Sequence, residues 1–244
     1  MTRWIPAVMA AWLGAAGCGL LPVPRSHLVR FAFVPGERAA YSLDAADSAA
    51  VYRTEGLVVK VAYRSKQALN LEYPDAREGR VNLNPFTYGT RMDNDLGYAP
   101  DRFTVFEVDL NNIGRPRVQF AARDAELVTD RGDRLRPWGT QKGEAVHTFE
   151  EYYRARRGPG GNDQQWYRQR LAIVEKSLYR GDGPLFKGQR QRGKLVFGLL
   201  HPEVASVRLH LREVVLAFDE HGLPTERIDL EFPFEISVEV EELE

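Results

Sequence analysis

Ile228, Leu230, Phe232, Phe234, Ile236 and Val238 alternate without a break with Asp229, Glu231, Pro233, Glu235, Ser237 and Glu239. Successive side chains of an extended chain point to opposite faces, so this segment can be only a strand with one dry face and one wet face. A dry face that long needs a second layer to cover it, and antiparallel sheets are the ones that leave their other face in water. The same period recurs in Val29, Phe31 and Phe33, in Leu57, Val59, Val61 and Tyr63, in Leu69, Leu71 and Tyr73, and in Val207, Leu209 and Leu211. Thr104, Phe106, Val108 and Leu110 form a further dry face, with Glu107 and Asp109 opposite. The stretches TDRGDR and DEHGLP follow apolar runs and place Asp ahead of Gly, as hairpin turns require. Many short strands joined by such turns predict a mainly β chain folded as an antiparallel β-sandwich. Pro233 has no N–H for a ladder, which predicts an edge strand or a bulge at that point.

Residues 148–180 break the alternation and predict a helical hairpin inserted into the sandwich. Thr148 and Glu151 have capping-box spacing, GPGG stops the first helix, and Asn162 is placed to cap the second. Tyr167, Leu171, Val174 and Leu178 then fall on one helical face. The turn-rich segment at 84–101 is a candidate boundary within a domain running from 28 to 244.

The strands RFTVFEVDLNN and GKLVFGLL resemble those of immunoglobulin-like domains in bacterial envelope proteins, over about residues 100–236. What the resemblance implies is an immunoglobulin-like arrangement of the sandwich; it carries no site.

The N-terminus has a different logic. Arg3 is the only charge before Gly17, and residues 4–17 are apolar or small. That run is shorter than the ~20 residues needed to cross ~30 Å of hydrocarbon. It has the order of a secretory signal peptide: positive start, apolar core, small-residue exit. Ala15-Ala16-Gly17-Cys18 resembles the lipobox of bacterial lipoproteins, with Ala15 where that family prefers Leu. The resemblance implies that the Cys18 thiol is alkylated by a diacylglyceryl group, that residues 1–17 are removed, and that the new amino terminus is acylated. Residues 18–27, with Pro22 and Pro24, then form a short stiff tether beside the membrane. Gly19 in place of the Asp common in lipoproteins retained at the inner membrane favours the outer membrane where the host has two. Removal of 17 residues from 244 leaves 227, ample for a core, and Cys18 is the only cysteine, so disulfides and thiolate metal sites are excluded.

Catalytic signatures are missing from the sequence. There is no G-x-S-x-G elbow, and His27, His147, His201, His210 and His221 lack metal-ligand spacing. The MDNDLG stretch has the alternate oxygens of a calcium loop, but Thr104 stands where the closing Glu belongs, so it reads as a turn. Arg131-Gly132-Asp133 likewise reads as hairpin residues rather than an adhesion tripeptide. No cofactor and no metal is expected. A net charge of −1 gives no case for nucleic acid. Charge is unevenly placed, however: residues 154–194 carry +8 and residues 195–244 carry −9. Either the two segments neutralise each other, or the basic one is an interaction face. The candidate face is Arg154, Arg156, Arg157, Trp166, Arg168 and Arg170, turned outward to anionic lipid or an acidic envelope protein. The expected function is therefore a lipid-anchored binding or structural module of the cell envelope, not an enzyme. The alternative is an envelope hydrolase built from scattered carboxylates, which a cleft with converging acids would reveal.

Overall fold

The computed structural model describes residues 27–242, apart from 37–40, 45–47, 75–80, 91, 94, 97, 141–142, 144, 157–160 and 182. Cys18, the expected signal peptide (residues 1–17), the expected tether up to residue 26 and Arg157 lie outside the described residues. In chain order the strands are β1 (His27–Pro35), β2 (Tyr41–Asp44), β3 (Ala49–Thr54), β4 (Leu57–Tyr63), β5 (Thr104–Asn112), β6 (Arg117–Val118), β7 (Ala125–Thr129), β8 (Arg134–Leu135), β9 (Leu185–Phe186), β10 (Arg190–Phe197), β11 (Ser206–Phe218) and β12 (Pro224–Glu242). The helices are α1 (Lys66–Glu72), α2 (Phe149–Ala155) and α3 (Gly161–Ser177).

Two antiparallel sheets of five strands, ordered β1-β12-β11-β7-β8 and β10-β5-β4-β3-β2, form a β-sandwich. The alternating residues of both sheets meet in one core. Leu209, Leu211, Leu230, Phe232 and Phe234 face Leu57, Val59, Val61, Phe106, Val108, Leu110, Leu195 and Phe197. Strands before residue 84 and after residue 101 share both sheets, so the 84–101 segment crosses within one body rather than dividing two.

Two strand expectations need correction. Leu69, Leu71 and Tyr73 do not form a strand; α1 occupies this stretch, with the Ser65 side chain accepting from the Ala68 amide. Residues 66–72 contain no β-branched side chain and much Leu, Gln, Lys and Glu, which favour helix. A helix cannot put i and i+2 on one face, and accordingly Leu69 is 2% exposed while Leu71 is 84% exposed. Pro233 does not mark an edge: β12 lies between β1 and β11. Its carbonyl accepts from Gly36 just past the end of β1. In an antiparallel pair a residue's N–H and C=O face the same neighbour, so the missing donor falls where β1 runs out. The dry face also stops early. β11 begins opposite Glu235, beyond which β12 has only β1 as a paired strand, and Val238 is 51% exposed.

The second sheet is covered on both sides, which explains why β5 is buried almost throughout. On its outer face Val105 and Val196 join Leu69 of α1, Phe86, Phe103, Phe149 and Tyr153 of α2, and Val174 of α3 in a second core. The helical hairpin is present as expected, and Tyr167, Leu171 and Leu178 pack on this core beside Val174. Thr148 Oγ1 accepts from the Glu151 amide at 3.3 Å, capping α2. Past α3 the chain docks on β10 through the Tyr179 amide and the Lys194 carbonyl (2.9 Å). Gly193 permits this approach: a Cβ there would sit 2.5 Å from the Tyr179 backbone. The C-terminal end of the insert is thereby fastened to the sandwich.

Several charged residues on the sheets are paired. On β10, Arg190 and Arg192 reach diagonally to Asp109 and Glu107 of β5, and Lys194 reaches Glu72 of α1 at 2.6 Å. Among the described residues no ion pair joins the basic 154–194 segment to the acidic 195–244 segment, so mutual neutralisation by direct pairing does not account for the asymmetry. On the outer face of the other sheet, Glu126 is 4% exposed and accepts from Arg134 (2.8 Å) and Arg212 (2.9 Å), with Arg136 at 3.7 Å. Burial pushes its carboxyl up, but the Arg212 hydrogen bond and the charges of Arg134 and Arg136 outweigh burial and hold it below the ordinary carboxylate value. Its stabilising contribution is therefore complete above the unfolded carboxylate value and is lost as pH falls through the depressed one. Glu126→Gln should cost about 1–2 kcal/mol at neutral pH, at the lower end for charged hydrogen bonds because the arginines are partly exposed. Urea unfolding across a pH series checks this; a cost that persists unchanged in acid would refute the assignment.

Candidate functional site: an arginine–tyrosine cleft under the helical insert

α2 and α3 lean on the second core with their aromatic sides, and the segment just before β5 runs beneath them. Where these meet there is a cleft of about 160 Å³. Arg102, Arg156 and Arg170 line it, with Tyr88, Tyr152, Tyr153 and Tyr167, and Asp163 is the only carboxylate among the lining residues.

The arginines are held by aromatic faces. The Arg102 guanidinium lies 4.1 Å over the Tyr88 ring and donates from Nη1 to Tyr153 Oη at 2.9 Å. Tyr153 is buried and in turn donates to the Pro85 carbonyl. Arg156 caps the end of α2, stacked 3.8 Å over Tyr152 and donating to its carbonyl at 3.3 Å. Arg170 donates through Nε (3.2 Å) and Nη2 (2.6 Å) to the Asn82 carbonyl, with its guanidinium 5.6 Å from the Tyr153 ring. None of the three makes an ion pair among the described residues. Arg102 Nε is buried without a hydrogen-bond partner.

The electrostatics follow from this crowding. Burial lowers the Arg170 pKa most, the charge of Arg102 lowers it further, and Tyr153 and Asp163 oppose the shift. Burial pushes the Tyr153 hydroxyl up against the pull of Arg102 and Arg170. Burial and a hydrogen bond with Tyr88 push the Tyr152 hydroxyl up as well. Both phenols therefore stay protonated at neutral pH, and Tyr153 commits its proton to the Pro85 carbonyl. Chemically the cleft is an array of cationic and hydroxyl donors suited to an anion; it offers no nucleophile with an adjacent base.

The sequence-predicted face is divided by the structure. Arg154 is exposed but paired to Glu150 one turn back. Arg168 is exposed and Trp166 half-buried on α3. Arg156 lines the cleft mouth. Arg170 does not share the outward side: it lies three residues after Tyr167 and four before Val174, hence on the flank of the apolar stripe, and its head reaches inward to Asn82. Arg102, Tyr88 and Asp163 were not singled out from sequence. Arg102 and Tyr88 stand in the turn-rich 84–101 region or at its end, where no periodicity marks a side chain's direction.

The other candidates resolve into local structure. Asp93 Oδ1 accepts from the amides of Asp95 (2.9 Å) and Leu96 (3.1 Å), the hydrogen bonds of a turn; Asn94 and Gly97 lie outside the described residues. Arg131 pairs with Glu203 at 2.7 Å, Asp133 bonds Thr129, and Gly132 takes a positive φ of 90° in the β7–β8 turn. Two larger clefts exist. One, about 470 Å³, lies between residues 119–123 and 175–181, where Glu175 and Arg180 pair with each other. The other, about 1010 Å³, lies at the β11–β12 hairpin, where Asp219 accepts the turn amides of His221 and Leu223.

The sequence matches no protein-family model and no curated protein. Among solved structures the chain is similar to the yjhA protein of Bacillus subtilis, at 15% identity and a TM-score of 0.29, covering 55% of this chain and 75% of that one. It is also similar to MPT63, a secreted protein of Mycobacterium tuberculosis, at 16% identity and a TM-score of 0.28, covering 70% of this chain and 90% of that one.

Proposed function

We propose that this chain is a lipid-anchored, non-catalytic binding module of the bacterial envelope, tethered through Cys18, whose helical insert recognises an anionic group. The observation that carries the reading is the cleft: three guanidiniums without ion-pair partners among the described residues converge there, while Arg190, Arg192, Lys194 and the arginines around Glu126 all have carboxylates. The non-catalytic part is supported by those same pairs, which commit Asp109, Glu107 and Glu126 to neutralising arginines on sheet surfaces rather than to an acid–base pair in a cleft. The tether of residues 18–27 would hold the domain close to phospholipid headgroups, with an outer-membrane address favoured by Gly19.

Protein beginning after Cys18 should sediment with vesicles containing phosphatidylglycerol and not with phosphatidylcholine alone. Salt should weaken the association, because screening shortens the reach of exposed charge. Arg156→Glu with Arg168→Glu should weaken it by about tenfold or more at an unchanged melting temperature. Equal binding to neutral vesicles, or no effect of the double variant, removes the insert as the recognition face.

A further inference from the structure

We infer that the arginine–tyrosine cleft is a binding site for one phosphate group, held by Arg102, Arg156 and Arg170. The inference rests on the reading of the insert as an anion-recognising face and gives that face a ligand class and a location.

Charge is the first argument. Three guanidiniums against Asp163 leave an excess of two positive charges in about 160 Å³. The arginines feel one another: Arg102 works against the protonated state of Arg170. A fold that gathers like charges around a cleft, while giving Lys194 and the arginines around Glu126 carboxylate partners, favours an anion in that cleft. A doubly charged phosphate matches the excess.

Geometry is the second. The Tyr88 and Tyr152 rings lie 4.1 Å and 3.8 Å from the Arg102 and Arg156 guanidiniums and restrain both. A planar fork of donors recognises phosphate oxygens in pairs, which lysines in the same places would not do. The three guanidiniums are carried by three different parts of the chain, the segment before β5, the end of α2, and α3, and line one cleft.

Asp163 gives the proposal its sharpest consequence. Its carboxylate is the one negative charge at the cleft, so it competes with a bound anion. Removing that charge should tighten phosphate binding, an effect a structural role for the arginines does not produce.

The test is calorimetric titration of the full chain, in a neutral phosphate-free detergent, with inorganic phosphate at constant ionic strength. Saturable binding of one phosphate is expected. Arg102→Gln should weaken it by about tenfold or more, and Asp163→Asn should tighten it roughly threefold or more. Lys176→Gln, on exposed α3 surface outside the cleft and outside the candidate face, should leave it unchanged. Should Arg102→Gln fail to fold by its melting curve, Arg156→Gln at the cleft mouth takes its place. Phosphatidylglycerol vesicles that displace the bound phosphate support a lipid headgroup as its source; vesicles that leave it in place support a soluble phosphate. Absence of saturable binding, or identical affinity in wild type, Arg102→Gln and Asp163→Asn, overturns the inference. Salt-dependent vesicle binding that survives that result leaves the broader reading of the insert standing.

Discussion

Phe234→Ala is expected to lower the unfolding free energy by about 3–5 kcal/mol, while Glu235→Ala changes it by less than about 0.5 kcal/mol. The two side chains are neighbours in sequence and opposite in environment. Phe234 is 1% exposed, its ring centroid 5.0 Å from that of Phe106 on the facing sheet, and its backbone is paired with Val207 on β11. Truncation leaves a cavity between two sheets whose backbones are fixed by ladders on both sides, so little collapse can compensate. Glu235 is exposed on the other face of the same strand. Urea denaturation of both variants measures the difference. Comparable losses would mean that β12 is displaced by one residue, since a slip of one exchanges its two faces.

Cys18→Ser is expected to abolish fatty-acid incorporation completely and to leave a precursor that retains residues 1–17. This follows from the proposed anchor. A serine hydroxyl is not ionised near neutral pH and does not take the place of a thiolate in forming the thioether. A diacylglyceryl group with an acylated amine supplies three chains, more than the two signals that stable anchoring needs. Metabolic labelling with a radioactive fatty acid and gel mobility of the product report both events. Equal label in wild type and variant would falsify the lipoprotein assignment and with it the membrane-proximal placement of the cleft.

The two results bear on separate halves of the chain's proposed work. The sandwich gives rigidity: its second sheet is packed on both faces, and the insert that carries the cleft is fixed to it by the Val105, Val196 and Val174 contacts and by the Tyr179–Lys194 hydrogen bond. A recognition site held on such a support loses little freedom on binding. The proposed anchor would supply nearness, raising the local concentration of whatever headgroup or envelope component the cleft meets.

Much of the sandwich was legible in the sequence because a strand's face is decided by parity alone. The alternation at 230–234 named the buried side chains correctly, and at 104–110 it named one buried face but missed that Val105 and Asp109 on the other are buried too; Gly132 and Gly222 marked the turns where a positive φ is required, and the stripe from Tyr167 to Leu178 found its apolar partner. Parity fails where the element is short or loses its neighbour. Leu69, Leu71 and Tyr73 alternate by accident within a capped helix, and Val238 keeps the period after β11 has ended. Pro233 could be assigned to an edge only while the length of β1 was unknown. The cleft was the least legible feature. Its arginines come from Arg102, Arg156 and Arg170, separated by up to 68 positions, and only the docking of α2 and α3 over the segment before β5 brings them together. Local sequence determines which residues alternate, cap and turn, because those choices depend on neighbours a few positions away. Which charges end up paired and which are left facing one another depends on distances across the whole chain, and only the packed tertiary structure sets those.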